Sequence, residues 1–415
     1  MSPALWSVLI QAAGSAATLV AALWVASRLG LAAQGQFGLL RSWSDVLVMV
    51  AIFGLPQGLL HLQYRDGIPV SALRHWTLRY LAGSTAAVLV VLALIATVPA
   101  LALMPHREQM MVLLAAVPLA AAHQLWRALT LRGAGPVAYA GVTAAPALLI
   151  LVALVPYLVF EWHSGFEWAL FAAAGMSALV SGWLAKRVAK GGEARVNWSR
   201  RTLWSVSAQT GAQSIMSSLN PAAQLSLIGL LGASLAQIGT VSLGLQLYQV
   251  FGIAAVYAAP LVYDHAARRR EAPGIAEMLG LLRARVPRVW RYVFVAGVGA
   301  GLAGPWLLPL AWPGISAFAP MLSIMTMAGL LALGVRLLST LQQARGKYLV
   351  LSLQALTRLI AGTAMTALAL EFWPATLAVP SVMLMVEASL LAWLVMLMRR
   401  VATVPQGALN DRAAP

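Results

Sequence analysis

The first features to explain are ionisable side chains inside segments that are otherwise apolar. They are Arg41, Arg127, Arg336, Arg358, Asp45, Glu387 and His123. An ionised side chain at the centre of a bilayer costs about 2.5 to 3.5 kcal/mol on insertion scales, so these groups are expected to face a partner or water. Four arginines against two carboxylates leave a positive excess. That excess favours the binding of phosphate or pyrophosphate, which guanidinium groups recognise through paired hydrogen bonds.

Helix geometry places most of these residues near the middle of the membrane. At about 1.5 Å per residue, a segment end is roughly 13 to 18 Å away from Arg336, His123, Arg358, Glu387 and Asp45. Arg127 is only about 7 Å from a segment end, which allows its side chain to snorkel to the surface. Internal pairing is the alternative to ligand binding. Arg41 and Asp45 share one helical face. Glu387 is a candidate partner for Arg336 or Arg358.

No motif in the sequence predicts catalysis. Cysteine is absent, which excludes disulfides, thiol catalysis and cysteine-based metal sites. The glycines at 297–304 lie inside an apolar run rather than after a strand, so a dinucleotide site is not predicted. Residues 346–348 lack the upstream glycine and the Ser/Thr of a phosphate-binding P-loop. The sequence therefore predicts a protein that is not an enzyme, without a cofactor or a metal site.

Composition indicates which elements carry the buried charges. Of 415 residues, 61% are hydrophobic and only 10% are charged, which is typical of an integral membrane protein. Runs of about 20 apolar residues, long enough to cross a hydrocarbon layer of roughly 30 Å, recur along the chain. The predicted spans are 4–27, 37–62, 78–103, 110–131, 136–160, 168–185, 202–230, 237–262, 292–312, 319–341, 348–370 and 373–398.

The net charge of +16 is unevenly distributed between the connecting segments. With the N-terminus inside, most of the 28 Lys and Arg residues fall in or beside inner segments, whereas Arg28 and Arg107 face outward. This asymmetry predicts that both termini are cytoplasmic. Basic clusters beside a membrane contact anionic lipid headgroups. Nothing in the sequence is typical of a nucleic-acid module, so membrane lipids rather than nucleic acid are the expected partners.

Two internal matches indicate a duplication. The segment 35–56 (GQFGLLRSWSDVLVMVAIFGLP) has the same Gly-to-Pro spacing as 239–260 (GTVSLGLQLYQVFGIAAVYAAP). The pair Arg132-Gly133 matches Arg345-Gly346, and this register sets His123 opposite Arg336.

The predicted fold is an all-α polytopic membrane protein with about twelve transmembrane helices. They form two pseudo-symmetric six-helix bundles, 1–192 and 193–415, around a central cleft, as in carriers with a midplane site. In the second bundle, 263–291 is predicted to be an inner amphipathic loop.

The quoted segments resemble a known family. Residues 26–60 (ASRLGLAAQGQFGLLRSWSDVLVMVAIFGLPQGLL) are similar to the opening of bacterial Wzx-type oligosaccharide flippases, which belong to the multidrug/oligosaccharidyl-lipid/polysaccharide exporter superfamily. Residues 227–249 and 315–348 resemble the corresponding second-half segments. The resemblance implies two six-helix bundles, alternating access and an undecaprenyl-diphosphate-linked oligosaccharide as substrate. One departure concerns residues 202–230, where the family usually has an acidic or amide position early in the helix. Here the polar amides are only Gln209, Gln213, Asn220 and Gln224, and no residue is acidic. The family's mode of ion coupling is therefore not carried over to this chain.

These inferences together predict a flippase that moves the lipid-linked oligosaccharide from the cytoplasmic to the outer leaflet of the bacterial inner membrane for polysaccharide synthesis. Arg336 and Arg358, helped by Arg41, are predicted to bind the pyrophosphate. His123 and Arg28, which lies in the family's Arg-Leu-Gly turn, are the other substrate-binding candidates. Asp45 and Glu387 are the candidates for ion coupling. A polysaccharide polymerase and chain-length proteins are candidate partners.

Two alternatives remain open at the level of sequence. A cation-coupled drug exporter of the same superfamily would call for an acidic cleft. A membrane glycosyltransferase or ligase would need a catalytic outer loop or a metal-binding pair of carboxylates, and neither is visible.

Overall fold

The computed structural model describes residues 3–64, 66–97, 107–131, 134–189, 199–251, 274–285, 288–307, 318–345 and 347–402. All regular structure in these ranges is helical. The helices of the first half are α1 (Pro3–Ile52), α2 (Leu55–Tyr64), α3 (Val70–Thr97), α4 (Arg107–Thr130), α5 (Gly135–Val159) and α6 (Phe166–Val188). Those that follow are α7 (Arg200–Leu230), α8 (235–251), α9 (Ile275–Arg285), α10 (Arg288–Leu307), α11 (Ala319–Ala344), α12 (Tyr348–Ala369) and α13 (Ala375–Ala402).

Eight of the described helices are long and apolar enough to cross a membrane. The prediction of an all-α polytopic membrane protein is therefore confirmed. Each predicted span falls on a described helix, although several spans extend past the described residues. The predicted inner loop 263–291 is described only in part, where α9 buries Met278 and exposes Leu279.

The first predicted span and most of the second form one bent helix. α1 turns at Gly30, whose φ of 89° and ψ of 166° are accessible to glycine but costly for other residues. We call residues 31–52 the second arm of α1. The second arm ends at Phe53 and Gly54, where φ is 38° and 71°, and α2 begins directly afterwards. The single predicted span 37–62 therefore contains the break between α1 and α2.

The chain divides by its contacts into two compact units. Unit 1 comprises Met1–Gln246 and Ala355–Thr376, and unit 2 comprises Leu247–Gln354 and Leu377–Pro415. In unit 1, α1 packs against α5, α4 against α6, and both α1 and α2 against α7. This division differs from the predicted boundary after residue 192, because α7 packs on helices of the first half. The two six-helix bundles, 1–192 and 193–415, stay a prediction.

Apolar packing holds unit 1 together in two clusters. One cluster joins Leu59 of α2 to Leu125 of α4 and Leu203 of α7, all fully buried. The other contains Phe37 of α1 and Phe166 of α6, whose ring centroids lie 5.7 Å apart in an edge-to-face contact. Since lipid tails are as apolar as these side chains, the close fit between helices, rather than escape from water, stabilises the contacts.

The segments of the first internal match meet face to face in unit 1. A Cβ atom placed on Gly35 would contact the Leu235 carbonyl and lie 3.0 Å from the Gly239 amide nitrogen. One placed on Gly239 would contact the Leu31 carbonyl and lie 2.9 Å from the Gly35 amide nitrogen. Leu31 and Leu235 are separated by the same number of residues as Gly35 and Gly239. Reciprocal contacts of this kind characterise a two-fold axis, and they support the predicted duplication.

Farther along the second arm the same contact continues. Gly38 packs against Ser242, whose hydroxyl oxygen accepts a 3.3 Å hydrogen bond from Gln34 Nε2. Residues 252–260 of this match lie outside the described part of the chain. The same holds for Arg132, Gly133 and Gly346 of the second match.

Candidate functional site

Arg41 and Asp45 lie one turn apart on the second arm of α1. Arg41 is half-buried, and Asp45 is exposed. Their charges are close enough to interact. Within the described residues, however, no group accepts a hydrogen bond from the buried Nη1 of Arg41. A buried guanidinium nitrogen without an acceptor is costly in a folded protein, and an anionic ligand would satisfy it.

A second group of polar side chains lies in unit 2. The guanidinium carbon of Arg336, on α11, is 6.0 Å from the centroid of the Tyr248 ring, on α8. At that distance the cation is attracted to the face of the ring. The Tyr248 hydroxyl donates a 2.7 Å hydrogen bond to Oε1 of Glu387, on α13. Tyr248 therefore connects a predicted substrate residue to a predicted coupling residue.

Glu387 is only 1% exposed, so its carboxyl group lies in the interior of unit 2. Arg336 is half-buried. Pairing of Glu387 with Arg336 was one of the alternatives left open by the sequence; in the structure both residues contact Tyr248, Glu387 through the hydroxyl group and Arg336 through the ring. The positive charge of Arg336 thus lies beside an aromatic ring.

Sequence reasoning did not single out Tyr248. Its residue type could have identified it, because a tyrosine inside a membrane span needs a hydrogen-bond partner for its hydroxyl group. The identity of that partner was not visible, since Glu387 is 139 residues away along the chain.

Arg358 belongs to unit 1, unlike Arg336. It is half-buried on α12, one turn before Gly362. The glycine lies against Asn220 and Gln224 of α7. The structure thus places one of the two main pyrophosphate candidates in each unit.

His123 lies in the interior of unit 1, where α4 packs against α6. The residue is 3% exposed, and Nδ1 is 3.2 Å from the backbone carbonyl oxygen of Ser177. Because a carbonyl only accepts, Nδ1 carries the proton of this hydrogen bond. The other ring nitrogen is buried without a hydrogen-bond partner among the described residues. This environment favours a role in holding α4 to α6, and substrate binding by His123 stays a prediction.

The last substrate-binding candidate, Arg28, and the span arginine Arg127 lie near a helix bend and a helix end. Arg28 is exposed beside the turn of α1 at Gly30. Arg127 is half-buried one turn after His123, in the last turn of α4. The described residues contain no group of three or more His, Cys, Asp or Glu side chains placed to hold a metal ion.

Comparison with known proteins identifies the fold. No protein-family model matches the sequence, and no curated protein matches it. Among solved structures, an inward-facing MATE multidrug resistance transporter of the MOP superfamily is similar with a TM-score of 0.66 and 14% identity, over 99% of this chain and 100% of that chain. A mutant of the Vibrio cholerae MATE transporter VcmN is similar with a TM-score of 0.61 and 16% identity, over 96% and 95% of the two chains.

A flippase is among the similar structures as well. The lipid II flippase MurJ, in an inward closed conformation, has a TM-score of 0.66 and 10% identity, over 97% of this chain and 88% of that chain. The chain therefore has the fold of MOP-superfamily transporters. The resemblance to the Wzx type in particular stays a prediction.

Proposed function

We propose that this protein is a membrane flippase that moves an undecaprenyl-diphosphate-linked oligosaccharide from the cytoplasmic to the outer leaflet by alternating access. The observation that carries the proposal is the set of arginines inside the spans, above all Arg41, whose buried Nη1 has no acceptor within the described residues. A diphosphate supplies such acceptors together with the opposite charge. The fold supports a transport function, since it is shared with MATE transporters and with a protein named as a lipid II flippase.

The charges of the candidate residues favour an anionic ligand over a cationic drug. Arg41 and Arg336 are half-buried, and an oppositely charged phosphate at about 4 Å would gain roughly 4 kcal/mol at an effective dielectric constant of 20. Of the two carboxylates, Glu387 is buried and accepts a hydrogen bond from the hydroxyl of Tyr248. A cationic drug would be left with Asp45 as the accessible carboxylate among these candidates.

Ion coupling through Asp45 or Glu387 is part of the proposal. Asp45 is exposed, whereas Glu387 is buried. Asp45 is therefore the more accessible of the two carboxyl groups, and Glu387 would become accessible after α8 and α13 rearrange.

The expected setting follows from the same proposal. The protein would lie in the bacterial inner membrane with both termini in the cytoplasm, as the distribution of Lys and Arg predicts. Its product on the outer leaflet would be a substrate for a polysaccharide polymerase and chain-length proteins.

The test is glycan export in a strain that lacks the gene. The variant Arg336→Ala with Arg358→Ala is expected to abolish cell-surface glycan at a normal level of protein, because both charges for the diphosphate are lost. Arg127→Ala is the matched control, since it removes an arginine near the inner end of a span, and it is expected to leave export unchanged. Normal export by the double variant would remove these arginines from the mechanism. Efflux of cationic drugs by the wild-type protein would favour the drug exporter instead.

A further inference from the structure

Two carboxamide side chains of α7 are buried together against α12 in unit 1. Asn220 is 5% exposed and Gln224 is 0% exposed. Measured from the position of a Cβ atom on Gly362, Gln224 Nε2 is 3.3 Å away and Asn220 Oδ1 is 3.6 Å away. The two amides therefore converge on one point of α12, and that point is open to them because residue 362 has no side chain.

Three polar atoms of this pair have no hydrogen-bond partner among the described residues. Asn220 Oδ1 and both amide atoms of Gln224 are buried and make no hydrogen bond to any described residue. A buried polar group without a hydrogen bond costs about 1 to 3 kcal/mol, so such groups are uncommon without a role. Thr366 adds a fourth atom of this kind, since its hydroxyl oxygen is buried and unpartnered as well.

The amides lie beside the surface of α12 that carries Arg358. Gly362 follows Arg358 by one turn and Thr366 follows by another, so the three residues share a helical face. Four residues correspond to about 6 Å along the helix axis. A ligand whose phosphate contacts Arg358 would extend its next group to the level of Asn220 and Gln224.

The backbone of α7 offers an additional acceptor at this level. Pro221 lies inside the helix and has no amide hydrogen. The carbonyl of Ser217, four residues earlier, therefore loses its usual helical partner. The polar groups around Asn220 thus include both side-chain and backbone acceptors.

The side chains of the cluster are uncharged and include both hydrogen-bond donors and acceptors. A carboxamide presents a donor and an acceptor whichever way it is turned. Of the two groups nearest Gly362, Gln224 Nε2 repels a metal cation, whereas a hydroxyl or acetamido group accepts from Gln224 Nε2 and donates to Asn220 Oδ1. Sugars carry these groups on adjacent carbons, so a pair of converging carboxamides suits a sugar better than a cation.

We propose that Asn220 and Gln224 bind the hydroxyl or acetamido groups of the sugar attached to the diphosphate. The inference rests on the proposed function and names the residues that select the first sugar. Gln224 is fully buried here, so the sugar gains access when α7 moves away from α12 in the transport cycle. When the site is empty, Gly362 lets the two amides close onto the helix.

The test uses the full-length protein in lipid nanodiscs and two ligands. One ligand is undecaprenyl diphosphate, and the other is undecaprenyl diphosphate linked to a sugar. The variants Asn220→Leu and Gln224→Leu are expected to weaken binding of the glycosylated lipid about tenfold each, the value of one good hydrogen bond, and to leave binding of the bare diphosphate unchanged. Gln213→Leu, on the same helix, is the control and is expected to affect neither ligand.

Each outcome separates the inference from the function on which it rests. Equal loss for both ligands, or unchanged binding of the glycosylated lipid, overturns the sugar site. A sodium- or potassium-dependent rise in Tm in the wild type that is absent from Gln224→Leu identifies a cation site and likewise overturns it. Failure of the wild type to bind either lipid refutes the proposed function instead. Gln224→Met, which keeps the length of the side chain, tests the same point if the leucine variant does not fold.

Discussion

The link between Tyr248 and Glu387 predicts a measurable coupling between α8 and α13. Tyr248→Phe removes the hydroxyl that donates the 2.7 Å hydrogen bond but keeps the ring beside Arg336. Glu387 is 1% exposed, so water does not replace the lost donor. A hydrogen bond to a charged acceptor is worth about 1.5 to 3 kcal/mol, and one to a neutral acceptor about 0.5 to 1.5 kcal/mol. The loss of stability therefore also reports whether the carboxyl group is ionised.

A double-mutant cycle isolates this bond from the rest of the packing. The variants are Tyr248→Phe, Glu387→Gln and the pair together, and the measurement is thermal unfolding of the purified protein in detergent. Because the two side chains are in direct contact, their effects are expected to be non-additive by at least about 0.5 kcal/mol. Tyr248→Leu is the matched comparison: it also removes the ring, and with it the attraction to Arg336 of about 0.5 to 1 kcal/mol.

Two results would refute this reasoning. Additive effects of the single variants would mean that the hydrogen bond contributes nothing to stability. Equal stability of Tyr248→Phe and Tyr248→Leu would mean that the ring does not interact with Arg336.

Two further predictions concern unit 1. Gly239→Val is expected to lower the Tm and the yield of folded protein, because its Cβ would lie 2.9 Å from the Gly35 amide nitrogen. Gly299→Ala, at a position with open space around it, is the control in the same assay. An unchanged Tm of Gly239→Val would contradict the close contact. His123→Ala is expected to cost about 1 to 3 kcal/mol of stability, since it removes the contact with Ser177. Unchanged stability would contradict the packing role, and loss of export per folded molecule would support substrate binding by His123.

Some candidate site residues were recognisable in the sequence because a charge inside a span has a high free-energy cost. Arg336 and Glu387 stood out since charges are expensive inside a span, and the structure connects both through one tyrosine. Asp45 and Arg41 stood out for the same reason, and their one-turn spacing follows from helical geometry alone. In these cases the free-energy cost of a single charged residue inside a span was sufficient to identify it as a candidate.

Other features depended on contacts that no local pattern encodes. Asn220 and Gln224 were visible only as polar residues of a span, and their convergence on Gly362 comes from the packing of α12. His123 was matched to Arg336 by register, yet it packs between α4 and α6. The sequence showed the repeat as a shared Gly-to-Pro spacing. It did not show that Gly35 and Gly239 are in close contact.

The sequence by itself determined that the chain is helical and crosses a membrane, and it located the spans, because about 20 apolar residues in a row have one stable form in a bilayer. It did not determine how each helix is turned about its axis. A span that is apolar on every side has no preferred face toward lipid, so its rotation is decided by the fit of neighbouring helices. Only the tertiary structure therefore showed which polar side chains meet, which are sealed in the interior and which lack a partner.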